Sequence, residues 1–262
     1  MNTGGVVIAD ALNIISRGGG AFVSRWAHVI VGITWIGLLY YFNFVQVPAF
    51  AEMEAPARNN ALDKLAWRAL WWFRWAAVLT VLTGISILLF QSDGKAQLFD
   101  GDYWKSIFGQ SIATGIVLAL LMFLNVWGVI WRKQQVVIAN ARNVQAGGEA
   151  DPNAAAAGRL GLMASRQNTI FSFTMLMFMV GTAHFFGSGT GWKFAPSSGT
   201  RIGYYVVIIV LAGLLELNAL GIIGGTGPGG TNWMYDSHKN ALIAGGVLVI
   251  VWYLAFYLIF KA

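Results

Sequence analysis

The chain has three histidines and no cysteine, and two of the histidines lie within long apolar runs. His28 follows the start of an apolar stretch at residues 22–50, and His184 lies near the end of another at about 168–188. An ionisable side chain inside a membrane helix indicates a functional site. Paired imidazoles on facing helices are typical axial ligands of a b-type haem in a helical bundle. We therefore predict that His28 and His184 bind a haem iron.

Residues near the two histidines would suit a flat macrocycle. Gly32 follows His28 by four residues and Gly181 precedes His184 by three, so each histidine has a patch without a side chain one turn away. Arg25, one turn before His28, could pair with a haem propionate. The alternative is that both histidines form hydrogen bonds across helices and the glycines serve close helix packing. Two histidines alone lack the further ligands of a copper or zinc site.

Two other charged residues lie inside apolar segments, and no residue of the chain is assigned a catalytic role. Arg74 and Glu216 are predicted near the same end of the helices, where they could form a buried ion pair or a proton relay toward Asn125 and Asn218. The alternative places the Arg74 guanidinium at the membrane surface and leaves Glu216 neutral or hydrogen-bonded.

The composition is that of a membrane protein. Of the 262 residues, 57% are hydrophobic and only 11% are charged, whereas soluble domains have about 25% charged residues. The absence of cysteine excludes disulfides, thiolate metal sites and covalently attached c-type haem. No soluble basic domain is present to bind nucleic acid, so the bilayer is the expected environment.

Apolar length predicts an all-α, polytopic bundle of about six membrane helices. The predicted spans are 22–47, 67–90, 106–131, 168–188, 202–223 and 239–260. We interpret residues 1–20 as an interfacial helix that ends at a glycine hinge, residues 18–20, and residues 21–262 as the transmembrane domain. The loop at 133–166 is expected to hold two short surface helices. The glycine-rich segment 224–232 joins two spans and is interpreted as a turn, not a phosphate-binding loop.

The distribution of lysine and arginine predicts the orientation. The termini and the loops on their side hold seven of these residues, and the opposite side holds ten. Because positive charge favours the cytoplasmic side, both termini are expected in the periplasm, with the protein in a bacterial inner membrane.

Four segments resemble consecutive parts of a known family. RWAHVIVGITWIGLLYYF, WWFRWAAVLTVLTGISILL, NVWGVIWRKQQ and SRQNTIFSFTMLMFMVGTAHF resemble the membrane domain of bacterial membrane-bound urate oxidases. The first segment also resembles the haem-binding protoporphyrinogen oxidases of bacteria. Both resemblances imply a haem-bearing helical bundle. The chain departs from the urate oxidase family at Trp72 and Ala76, where the family favours a histidine and a glutamate.

The resemblance implies a redox function. The family's membrane domain usually precedes a cytochrome c domain, and this chain has no C-x-x-C-H motif, so a c-type partner is expected to be a separate subunit. The leading prediction is a membrane protein that passes electrons through haem b toward a cytochrome c or a respiratory partner. The alternatives are a non-catalytic accessory or assembly subunit of a larger respiratory or photosynthetic complex, and a membrane oxidase of urate or porphyrinogen.

Overall fold

The computed structural model describes residues 16–90, 96–186, 192 and 195–261, which form an all-α bundle. Six long helices dominate it, and short helical segments connect them. The α-helices are α1 (Arg17–Tyr40), α2 (Val47–Glu52), α3 (Ala55–Ala61), α4 (Trp67–Phe90), α5 (Gly101–Lys105), α6 (Ile107–Asn125), α7 (Trp131–Gln145), α8 (Ala154–His184), α9 (Ser198–Ala219) and α10 (His238–Phe260). The predicted fold class is confirmed.

Three π-helical segments join α-helices into longer continuous rods. They are Tyr41–Gln46 between α1 and α2, Leu62–Ala66 between α3 and α4, and Val126–Ile130 between α6 and α7. The first rod therefore continues past Pro48 to Glu52, beyond the predicted end of the first span. The wider π-helical turn precedes Pro48, which lacks a backbone N–H and would interrupt a regular helix.

The predicted glycine hinge at residues 18–20 is wrong. These glycines form the first turn of α1, which Ser16 caps by accepting a hydrogen bond from the Gly19 N–H at 3.1 Å. A serine at the N-cap satisfies one of the free N–H groups of the first turn and offsets the low helix propensity of glycine. The interfacial helix predicted before the hinge lies outside the described residues.

The loop predicted at 133–166 is much shorter in the structure. Its first part is α7, which continues the α6 rod to Gln145, and its last part is the beginning of α8 at Ala154. Only residues 146–153 connect the two helices. An Asp63–Arg142 ion pair ties the α7 extension to the start of the second rod, and Ile138 and Ala141 of α7 are buried.

The 31-residue helix α8 is the centre of the bundle. It packs against α6, α7, α9 and α10, while α1 packs mainly against α4. The core around α8 is aromatic, with fully buried side chains from three helices: Phe171, Phe178, Tyr204, Trp252 and Phe256. Burial of large apolar side chains is the main stabilising contribution to such a core.

Among the described residues, five of the six long helices, counting those joined by π-helical segments as one, are long and apolar enough to cross a bilayer, which makes the chain a multi-pass membrane protein. They are Gly18–Glu52, Ala55–Phe90, Ile107–Gln145, Ser198–Ala219 and His238–Phe260. The remaining helix, α8, is more polar, and its neighbours enclose its middle, while Leu176 and Val180 near its end are exposed. A helix shielded from lipid by other helices can carry polar side chains that hydrogen-bond within the bundle.

Candidate functional site

His28 lies in the contact between α1 and α4. Its Nδ1 atom is 3.0 Å from Oγ1 of Thr83, and a methyl group at Gly84 would lie 3.3 Å from its Cε1 atom. One turn earlier, the hydroxyls of Ser24 and Ser86 are 2.7 Å apart. Small and polar residues therefore let the two helices approach closely, as is common in membrane bundles.

The hydrogen bonds around Thr83 assign the tautomer of His28. The Thr83 hydroxyl lies 2.7 Å from the Leu79 carbonyl oxygen and 3.1 Å from that of Thr80, and both can only accept. With two carbonyl oxygens within its reach, the Thr83 hydroxyl is assigned as a donor within its own helix and as the acceptor of the hydrogen bond from Nδ1–H of His28. Nε2 then carries the lone pair, which is the arrangement of a histidine that binds a metal through Nε2.

His184 lies at the same level of the bundle as His28. The Tyr40 hydroxyl of α1 is 2.9 Å from the Ser172 hydroxyl of α8, and the two helices run in opposite directions. Each histidine is twelve residues from its member of this pair, or about 18 Å at 1.5 Å per residue. This pairing of Tyr40 with Ser172 agrees with the predicted match in depth.

The two histidines differ in their surroundings. The His28 ring is turned toward α4, whereas His184 is exposed at the end of α8. The glycine next to His184 is not a free surface, because a methyl group at Gly181 would lie only 2.6 Å from Cε2 of Phe186. The predicted macrocycle patch at Gly181 is thus occupied by the chain's own aromatic ring.

Gly32 and Arg25 fit the prediction better. A methyl group at Gly32 would meet no atom within 4 Å, so the surface of α1 one turn from His28 is open. Arg25 is exposed at the same end of α1. Its charge acts on the buried Tyr103 phenol: burial raises the pKa of Tyr103 to about 12, and Arg25 opposes that shift.

These residues fit a haem in part. His28 offers Nε2, Gly32 leaves room and Arg25 supplies a cation, whereas Gly181 is covered by Phe186. Among the described residues, no group of three or more histidine, cysteine, aspartate or glutamate side chains is placed to hold a metal ion. A haem needs only axial nitrogen ligands, so it remains the metal group that His28 could bind.

The predicted ion pair between Arg74 and Glu216 is wrong. The Arg74 guanidinium lies over the Trp131 ring, 3.7 Å from its centroid, and 5.8 Å from the Trp127 centroid. Glu216 instead accepts a hydrogen bond from the Asn125 amide at 3.1 Å. The indole rings hold the guanidinium by cation–π attraction, which leaves it on the side of α4 that faces α7.

Asn125 is the hub of a buried polar cluster around α8, which we call the polar centre. Its Nδ2 donates to Oε2 of Glu216 and, at 3.0 Å, to Oδ1 of Asn168. Asn168 in turn donates to the Met122 carbonyl oxygen at 2.9 Å. The alternative prediction, that Glu216 is neutral or hydrogen-bonded, agrees with this bond, and its partner is Asn125.

The polar centre extends along α8 in both directions from Asn168. Toward α1, Asn43 donates to the Ser165 hydroxyl at 2.8 Å. Toward the segment after α9, the Tyr235 hydroxyl donates to Oε1 of Gln167 at 2.5 Å, and Arg166 donates to the Tyr235 carbonyl oxygen. These bonds connect the π-helical segment Tyr41–Gln46, α8 and the 3₁₀ turn Gly230–Tyr235.

Two π-helical segments bring asparagines to the polar centre. Asn43 lies inside the segment Tyr41–Gln46, and Asn125 directly precedes Val126–Ile130. Single π-helical turns inside α-helices are frequent at functional sites. Sequence reasoning found Asn125 and Glu216 but missed the polar residues of α8. Their signal is the run Arg166, Gln167 and Asn168 at the start of a predicted span.

The glycine-rich segment after α9 is a turn, as predicted. The Asn232 side chain donates to the carbonyl oxygens of Gly224, Gly225 and Gly227, and Arg159 of α8 donates to Thr226 and Gly227. Carbonyl groups therefore converge inside the turn, whereas a phosphate site would need backbone N–H groups there. His238, at the start of α10, packs its ring 6.4 Å from Phe44.

Comparison with protein-family models, with curated proteins and with solved structures gave no match.

Proposed function

We propose that the protein is a membrane-embedded redox protein that holds a b-type haem beside His28 and passes electrons to a separate cytochrome c or respiratory partner. The observation that carries the proposal is the orientation of His28. Its Nδ1–H is fixed by Thr83, so Nε2 is the nitrogen available to iron. A bound haem would supply reversible one-electron oxidation and reduction of its iron.

In this proposal, residues of the chain orient the haem and pair with the negative charge of its propionate. Thr83 fixes the plane of the His28 ring, and Gly32 lets a flat ligand approach the backbone of α1. The Arg25 guanidinium would pair with a propionate at the end of α1. His184 is the proposed second axial ligand, since it lies at the same level of the bundle. Phe186 would have to leave the surface of Gly181 for the ring to lie there.

The test is the visible spectrum of the protein purified from cells supplied with haem. A Soret band that is lost in His28→Ala supports the proposal, and His238→Ala is the matched control that should keep the band. If His184 is the second ligand, His184→Ala should retain haem but change it from six-coordinate low-spin to five-coordinate high-spin. Purified protein without a Soret band, or a His28→Ala variant with full haem content, contradicts the proposal.

A second candidate function is supported by the same residues. His28 is already hydrogen-bonded across helices and Gly181 is already packed by Phe186, which are arrangements that need no cofactor. These purely structural contacts suit a non-catalytic accessory or assembly subunit of a larger membrane complex. Absence of haem together with co-purification of other membrane subunits supports this function.

The third candidate, an oxidase of urate or porphyrinogen, rests on the resemblance to those families. It predicts turnover of urate with added cytochrome c, or of a porphyrinogen, by the purified protein in detergent. His28→Ala should abolish that turnover together with the haem. Haem-loaded protein that oxidises neither compound would leave electron transfer as its function.

A further inference from the structure

Glu216 is a membrane carboxyl group without a cationic partner. It lies three residues before the end of α9 and is half-buried against α6. All ion pairs among the described residues involve Asp63, Asp102 or Asp236. A carboxylate that is removed from water and is not paired with a cation favours its neutral, protonated form.

The atoms that face Glu216 select a proton over a metal ion. Its hydrogen-bond partner is the amide N–H of Asn125, whose other N–H contact is with Asn168. Sodium, calcium and magnesium ions need several oxygen ligands around them. A donor N–H pointing at the carboxylate opposes a cation at that position, whereas it accommodates either protonation state of the acid.

The other titratable groups near Glu216 lie toward the turn after α9. The Tyr235 hydroxyl is 3.2 Å from the carbonyl oxygen of Leu215, next to Glu216, and Arg166 is bound to the Tyr235 backbone. The ion pair of Arg159 with Asp236 follows beyond them. Polar groups therefore connect Glu216 with the end of the bundle that holds the turns at 146–153 and 220–229.

Toward the histidine end, the neighbouring side chains of α6 and α9 are apolar. Leu118, Ile208 and Ala212 are buried between the polar centre and the next polar pair, in which Thr114 and Tyr204 are 2.9 Å apart. An apolar layer of this kind gives a proton no groups to bind to. On the α6 and α9 faces, exchange of a proton with water is therefore favoured toward the turns, whereas α8 carries the buried hydroxyls of Thr169, Ser172 and Thr174 toward the histidine end.

Several buried atoms in and beside the polar centre have no hydrogen-bond partner among the described residues, Oδ1 of Asn43 and Nε of Arg166 among them. Nε2 of Gln167, a residue that is 0% exposed, and Oδ1 of Asn218, which is 5% exposed, have no partner among the described residues. Buried polar groups without partners are rare and often mark a functional site. Asn218 lies two residues after Glu216, so unused hydrogen-bonding capacity is beside the carboxyl group.

We infer that Glu216 is a proton-binding site within the membrane, which exchanges its proton with the aqueous phase at the turn side of the bundle. The site does not depend on haem. The inference follows from a carboxyl group with an amide partner, no ion pair among the described residues and a polar connection to the turn side.

The experiment uses dicyclohexylcarbodiimide, a hydrophobic reagent that modifies protonated carboxyl groups within membranes. The full-length protein in lipid vesicles is treated over a range of pH, digested and analysed by mass spectrometry. Glu216 should be modified at least tenfold faster than the exposed Glu149 in the same sample, and its modification should slow as the pH rises. Glu216→Gln should lose the modification of that peptide only.

Equal modification of Glu216 and Glu149 would overturn the inference, because it would show that Glu216 titrates like an exposed carboxyl group. Modification of Glu216 that does not change with pH would also overturn it, since the proton would not exchange. Both outcomes are measured on the wild-type protein, so they hold even if the Glu216→Gln variant fails to fold.

Discussion

The Nδ1 atom of His28 and the Oγ1 atom of Thr83 lie 3.0 Å apart across the contact between α1 and α4. Thr83 is committed as a donor to its own helix, so this bond determines both the ring plane and the tautomer of His28. The same contact joins two membrane helices and would hold His28 in place as the proposed haem ligand. Mutation of Thr83 tests the two roles separately.

Thr83→Val should destabilise the protein by about 0.5–1.5 kcal/mol, the usual loss for one hydrogen bond. Thr83→Ser keeps the hydroxyl and is the matched control. The measurement is reversible unfolding in mixed micelles. If the purified protein contains haem, Thr83→Val should also shift the reduction potential of that haem. A hydrogen bond to the ring nitrogen that does not bind the metal changes the electronic properties of the histidine ligand. Equal stability of the valine and serine variants would show that the bond contributes nothing.

Arg74 should be coupled energetically to Trp131 and not to Glu216. The guanidinium lies 3.7 Å from the Trp131 centroid, and a partly buried cation–π contact contributes about 0.5–2 kcal/mol. A double-mutant cycle of Arg74→Met and Trp131→Leu should give a coupling energy in this range. The matched cycle of Arg74→Met and Glu216→Gln should give a value near zero. A large coupling in the second cycle would restore the ion pair that the sequence suggests.

The depth of a side chain in the membrane could be predicted from the sequence, but the residue that it contacts on the neighbouring helix could not. A constant helical rise places His28 and His184 at one depth, and the Tyr40–Ser172 bond agrees with that. Which faces of two helices meet depends on packing across the whole bundle. Because α1 packs on α4, His28 meets Thr83 instead of a residue of α8.

The polar centre was harder to predict because π-helical turns change the helical register. One extra residue in a turn rotates all later side chains by about 100° relative to a regular helix. Asn43 lies within such a segment and reaches Ser165. Apolar periodicity alone does not assign this contact, whereas Asn125, which precedes another π-helical segment, is already expected from the sequence near Glu216.

Gly181→Ala should destabilise the protein by about 1–3 kcal/mol, the usual cost of overpacking. The added methyl group would lie 2.6 Å from the Phe186 ring, which stacks on Phe178 with centroids 5.1 Å apart. Gly32→Ala is the matched control and should be within about 0.5 kcal/mol of wild type, since its surface is open. Combining Gly181→Ala with Phe186→Leu should recover part of the loss. Destabilisation by Gly32→Ala and not by Gly181→Ala would contradict this packing.

The stability of the turn after α9 should depend on pH through Asp236. Burial raises the pKa of this carboxyl group, but hydrogen bonds from the Gly229 N–H and from Arg159 outweigh burial and lower the pKa below its ordinary value. Gly229 has φ 79°, a conformation that suits glycine, and its N–H donates to the Asp236 carboxylate. The unfolded chain has an aspartate pKa of about 3.9. The stabilisation is therefore complete above that value and is lost as the pH falls through the lower, folded pKa.

Thermal unfolding of wild type and Asp236→Asn in detergent, from neutral pH to about pH 3, measures this dependence. The wild type should be more stable by up to about 1 kcal/mol at neutral pH, the range for a partly exposed pair. The difference should stay constant down to about pH 4 and shrink below it, since protonated Asp236 no longer attracts Arg159. Asp102→Asn is the control, because the Asp102 side chain is 92% exposed, and its profile should follow the wild type. A difference that persists unchanged at the acid end would mean that the carboxylate's charge does not hold the turn.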